Sequence, residues 1–235
     1  MSIFAIADLH LGISIEKNMD MFGPPWEGHT AKIKEQWGAT VKDADLVLVP
    51  GDISWALKLE EAKADIEFLD NLPGKKLILK GNHDYWWPSL KKLKEFLPQG
   101  IIPLQNDAFV YEDVGIAGTR LWFDPDLNLE TTSPEDRTIY ERELGRFALS
   151  LNSLPKGLSK KIIMTHFPPI SLDGKVSKAV EIANSFDCDI WVFGHMHLGT
   201  LDYSGFARTI GHTRFEFVSS DYIDFTPKLI LETQP

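Results

Sequence analysis

Residues 75–87 read KKLILKGNHDYWW. The apolar run at 76–79 has strand character and ends in Gly81, Asn82, His83 and Asp84, with Trp86 and Trp87 directly behind. Glycine and asparagine are common turn residues, so the stretch alone reads as a plain turn. It reads equally as a set of side chains held on a rigid strand end to bind something. The local sequence leaves both readings open, and the rest of the chain decides between them.

The same unit recurs four times. Residues 2–7 lead into Asp8-Leu9-His10, and 46–49 (LVLV) lead into Pro50-Gly51-Asp52. Later, 161–164 (KIIM) lead into Thr165-His166, and 190–193 (IWVF) lead into Gly194-His195-Met196-His197. Helical patterns lie between the early strands. Leu59, Ala62, Ile66 and Leu69 share one face, as do Ile33, Trp37 and Val41. Ser133-Pro134-Glu135-Asp136 is a helix start with a capping serine, proline at the first position and acids in the first turn, and its helix is expected to run to about Asn152. Alternating strands and helices imply an α/β fold with a largely parallel sheet covered on both faces. Further strands are expected around 108–112, 115–119, 199–203, 206–210, 213–218 and 228–232, forming a second, mixed or antiparallel sheet packed on the first. Two long excursions, 13–30 with Trp26 and 120–132 with Trp122 and Phe123, have the length of functional loops.

The bulk numbers fit one domain over 1–235, long enough for a proper core and without repeats or linker-like tracts. No apolar run approaches the roughly 20 residues that cross a bilayer, and the first ten residues lack the basic region and cleavage site of a signal peptide. Cys188 is the only cysteine, so an internal disulfide is impossible and a reducing cytoplasm is the natural setting. The net charge of −10 argues against a general nucleic-acid binder, although carboxylates gathered around cations add to that count without making the outer surface repel phosphates.

Each polar strand end has a bland explanation when taken alone. Asp8 or Asp52 caps the next helix in that reading, and His83 or His166 is a hydrogen-bonded structural residue. Their joint occurrence changes the odds. Ligands of parallel sheets bind beyond the carboxyl ends of the strands, and five of the chain's seven histidines fall in these five clusters; His29 and His212 lie outside them. Asp8-x-His10 and His195-x-His197 are alternate residues, which point the same way on extended backbone and reach one ion. Carboxylate, imidazole and amide donors suit one or two borderline divalent metals.

Asp8-Leu9-His10, Gly51-Asp52, Gly81-Asn82-His83-Asp84, His166 and Gly194-His195-Met196-His197, in that order, resemble the signature of the calcineurin-like metallophosphoesterase superfamily at every element. The resemblance implies a four-layered α/β/β/α sandwich of two mixed sheets with a metal site at the C-terminal ends of the strands. It also implies two divalent metal ions, manganese foremost, with iron, zinc, nickel or cobalt as alternatives. Asp8, His10 and His197 would bind one metal and Asn82, His166 and His195 the other, with Asp52 bridging and His83 as the catalytic histidine. Asp84 would orient His83 or fix the turn. The implied reaction is cleavage of a small phosphorylated substrate, monoester or diester, by attack of a metal-bridging hydroxide. A metal-dependent nuclease is the alternative, and a non-catalytic metal-bearing scaffold a third reading. Around such a site, Trp86 and Trp122 either form an aromatic rim for substrate or pack in the core. Arg120 either clamps a phosphate or serves as a surface ion-pair partner. The sequence names neither the substrate nor the oligomeric state.

Overall fold

The computed structural model describes residues 1–15, 17, 19–127, 133–197 and 202–232. Its strands are β1 (Ser2–Ala5), β2 (Leu46–Val49), β3 (Lys75–Ile78), β4 (Ile101–Pro103), β5 (Ala108–Tyr111), β6 (Val114–Thr119), β7 (Lys160–Thr165), β8 (Ile190–Phe193), β9 (Arg208–Ile210), β10 (Thr213–Phe217) and β11 (Lys228–Glu232). The α-helices among the described residues are α1 (His29–Thr40), α2 (Lys63–Asp70), α3 (Leu90–Phe96), α4 (Pro134–Asn152) and α5 (Lys178–Asn184). The chain divides into two compact units: Met1–Pro103 with Val218–Pro235, and Leu104–Phe217.

The first unit is built on a five-stranded sheet in the order β11-β1-β2-β3-β4. β1 through β4 run parallel, and β11 closes the edge antiparallel to β1. All four residues of LVLV are buried, as an interior parallel strand covered on both faces requires. Ile33, Trp37, Ile66 and Leu69 join Val47, Val49 and Ile78 in one apolar cluster, which removes from water the helix faces read from the periodicity. Trp37 also donates from its indole to the Pro73 carbonyl at 2.9 Å.

The second unit holds a six-stranded mixed sheet in the order β5-β6-β7-β8-β10-β9. Its centre, β6-β7-β8-β10, is parallel, and β5 and β9 add antiparallel edges. α4 starts where the sequence places it. The Ser133 hydroxyl accepts from the Asp136 amide while the Asp136 carboxylate accepts from the Ser133 amide, a reciprocal capping box. The α/β class with two mixed sheets agrees with the sequence expectation.

Several details differ. The five polar strand ends come from two sheets, with β1, β2 and β3 in one and β7 and β8 in the other. β11, expected in the second sheet, pairs with β1 in the first. β4, α3 and α5 have three, seven and seven residues, too short for a periodic pattern to stand out. Of the strand expected at 199–203, positions 199–201 lie outside the described residues, and Tyr203–Phe206 is a 3-10 turn whose start is capped by Asp202. Part of the 120–132 excursion, 128–132, is likewise outside them, as are positions 16 and 18 of the 13–30 excursion.

Candidate active site

In the first unit, three parallel strands deliver Asp8, His10, Asp52, Asn82, His83 and Asp84 to their carboxyl ends. The loops after β1 and β2 are tied by backbone bonds: Asp8 N–H to the Gly51 carbonyl at 3.0 Å and His10 N–H to the Asp52 carbonyl at 3.0 Å. Asp8 and Asp52 are buried, as is His10. His10 Nε2 lies 3.7 Å from Asp52 Oδ2, and the other Asp52 oxygen accepts from the His83 amide at 2.8 Å. The Ser219 hydroxyl donates to Asp8 Oδ2 at 2.7 Å, which fixes that carboxylate's rotamer. Gly81 is required here because a methyl group at its Cα would strike the Asp52 carboxylate.

Asp84 anchors the turn. It is fully buried and accepts from the amides of Gly81 (2.8 Å), Ile53 (2.9 Å) and Ser54 (3.1 Å) and from the Trp86 indole (2.9 Å). Of the two roles open to it in the sequence, this geometry is that of the turn anchor. Burial, followed by the charge of Asp52, holds its carboxyl above the ordinary range, against the pull of these donors. Trp86 is 2% exposed and packs against Trp87, so it belongs to the core beneath the turn and not to a rim.

In the second unit, β7 and β8 present the other three histidines of the five clusters, His166, His195 and His197. The His166 amide donates to the Arg120 carbonyl at 3.3 Å, and the Gly194 amide to the His166 carbonyl at 3.1 Å, so three adjacent strand ends are laced together. His195 Nδ1 lies 3.2 Å from His166 Nε2, and His197 follows on the same strand exit. Phe167 packs against the His195 ring at a centroid separation of 4.1 Å, and Phe123 meets it edge-on at 5.0 Å. Trp122 packs on Phe167 and donates from its indole to Asp136 at 2.9 Å, so it anchors this wall while half-buried. The Arg120 guanidinium lies 3.5 Å from buried Glu143 and over the Trp122 ring, which is the ion-pair arrangement.

Four of the sequence-selected residues carry positive φ without being glycine: Asp8 (59°), His10 (43°), Asp52 (53°) and His195 (75°). Each left-handed residue costs about 1 kcal/mol or more, and such strain collects where function fixes the backbone. The donor chemistry fits divalent cations. Buried carboxylates cost free energy unless a positive charge compensates them. Two imidazole nitrogens facing each other at 3.2 Å suit a shared cation of borderline softness, and the set contains no thiolate.

Sequence reasoning passes over three residues here. Ser219 sits in FVSSD at 217–221, which repeats the strand-then-polar pattern and is a usable signal. Phe167 follows His166 and carries no signal of its own. Trp55 stacks on His10 at 4.7 Å and lies 4.5 Å from the His83 ring; nothing in its local sequence marks it.

Among solved structures, the chain is similar to a protein of unknown function from Aquifex aeolicus, at 17% identity over 97% of this chain and 95% of that one, with a TM-score of 0.53. It is also similar to a phosphopantetheinyl hydrolase from Mycobacterium tuberculosis, at 14% identity over 99% of this chain and 96% of that one, with a TM-score of 0.58. At such identities the likeness is one of fold. No curated protein sequence matches the chain. Among the described residues no helix is long and apolar enough to cross a membrane. The model of the calcineurin-like phosphoesterase family matches residues 1–199, and the chain therefore belongs to that family of metal-dependent hydrolases of phosphoester bonds.

Proposed function

We propose that this protein hydrolyses a small phosphorylated substrate, a phosphomonoester or phosphodiester, with two divalent cations, manganese foremost. Asp8, His10 and His197 would hold one cation and Asn82, His166 and His195 the other, with Asp52 shared between them. The observation that carries this reading is the strained, buried presentation of carboxylates and imidazoles on strand ends of a phosphoesterase fold. Residues 1–235 form a single metallophosphoesterase domain in this reading.

When bound, such a cation pair supplies Lewis acidity toward phosphate oxygens and activates water. The chain's own residues do the rest. Asp52 would contribute negative charge to both cations. Asn82 adds a neutral oxygen donor and leaves Lewis acidity undiminished. His83, fixed through its amide by Asp52, donates a proton to the departing oxygen, a task suited to imidazole near neutral pH. Asp84 acts through the turn that aims His83.

The test is hydrolysis of aryl phosphomonoesters and diesters in Mn²⁺ by the wild type and by His83→Ala. A loss of about 100-fold or more in kcat, with metal content unchanged, is expected. Equal and negligible turnover by both metal-loaded proteins overturns the proposal. A phosphopantetheinyl conjugate belongs in the substrate panel because one structure of similar fold is a hydrolase of that group.

A further inference from the structure

Trp55 lies one ring away from His83, and the role assigned to the site above leaves it unexplained. Its indole carries the His10 ring stacked at 4.7 Å with an interplanar angle of 25°. The Lys17 ammonium sits 3.4 Å from the indole centroid, at cation–π distance. The Trp55 N–H is anchored on Met19 Sδ at 3.1 Å, so the indole is tied to the same excursion that carries Lys17. Lys17 is exposed, and its contact with the Trp55 ring holds its ammonium in place. In a chain of net charge −10, an ammonium held over an aromatic ring beside the catalytic histidine is a fixed positive charge in search of an anion.

We infer that Lys17, positioned by Trp55, binds a second anionic group on the leaving portion of the substrate. The inference rests on the phosphoesterase reading and narrows its substrate class to phosphoesters carrying a further phosphate or carboxylate near the scissile bond. The Lys17 ammonium and the His83 ring both lie against the Trp55 indole, 3.4 Å and 4.5 Å from its centroid. The ammonium is therefore placed to meet a substituent beside the scissile phosphate that His83 engages. A lysine suits this task as a compact charge on a flexible stem, and the cation–π contact limits the entropy lost when it binds.

The test reads equilibrium binding, not turnover, so its failure is separable from failure of the phosphoesterase reading. Mn²⁺-loaded protein is titrated by calorimetry with methylphosphonate, methylenebisphosphonate and phosphonoacetate. The last two distinguish a second phosphoryl-type anion from a carboxylate. Wild type is expected to prefer at least one doubly anionic probe over methylphosphonate. Lys17→Ala is expected to reduce that preference about tenfold, and Lys17→Arg to restore most of it. Trp55→Leu is expected to reduce the preference in the same direction by releasing Lys17. The inference is overturned if Lys17→Ala leaves the preference intact, or if it weakens all three probes equally, which would place Lys17 on the scissile group. Failure of wild type to bind any phosphonate overturns the phosphoesterase reading along with it.

Discussion

At the scale of single residues, Asp84 shows how much of the turn that carries His83 hangs on one buried carboxylate. One carboxylate receives three backbone amides and an indole, all buried. Asp84→Ala strands these donors without partners, at about 1–3 kcal/mol each before relaxation. We expect a loss of about 3 kcal/mol or more in urea unfolding, with kcat falling as His83 loses its aim. A variant as stable as the wild type would show that water replaces the carboxylate. His83 and Asp84 stand side by side in GNHD, and the sequence does not decide between the two roles open to Asp84, orienting His83 or fixing the turn. Burial decides: Asp84 turns inward to amides contributed by residues 53 and 54, about thirty positions away. Trp86 follows the same rule, since its indole serves Asp84 and not a substrate.

At the scale of elements, β3 carries two features that can be tested apart. Lys76, its second residue, is buried, and its ammonium is satisfied by the carbonyls of Asp70 and Leu72. Burial lowers its pKa from 10.5 to about 8. The folded protein therefore releases this proton first. Below about pH 8 the fold carries the whole penalty of the buried charge, and between about 8 and 10.5 the unfolded chain binds more protons, so stability rises with pH. Measured against Lys76→Met, the wild type is expected to gain about 3 kcal/mol in urea unfolding on going from pH 7 to pH 10. A difference independent of pH would contradict the assignment. At the strand's other end, Gly81→Ala is expected to displace the Asp52 carboxylate and weaken Mn²⁺ binding about 10- to 100-fold, read by calorimetry. Unchanged metal affinity would mean that the turn absorbs the methyl group. The elements long enough to show a period were legible in the sequence: α1, α2, α4 and the apolar strands. β4, α3 and α5 were not, because three to seven residues give a hydrophobic pattern too few repeats to rise above composition. Strand partners were also hidden, and β11 joins β1 across more than two hundred residues for reasons that local sequence does not contain.

At the scale of the whole molecule, the candidate ligands were legible because one chemical pattern repeats at five strand ends. Their division, three strand ends in one compact unit and two in the other, was not. The activity of a metal-dependent phosphoesterase follows its metal occupancy. Chelation is expected to lower the melting temperature as well as abolish turnover, since a ligand that binds only the folded state stabilises it by mass action. The most direct measurement is titration of the metal-free protein with Mn²⁺, following bound metal by calorimetry and hydrolysis of an aryl phosphate in the same samples. Turnover is expected to appear with metal and to reach its plateau at two bound ions per chain. Turnover that persists in chelator, or a chain that binds no Mn²⁺ while fully folded, would contradict the two-metal reading.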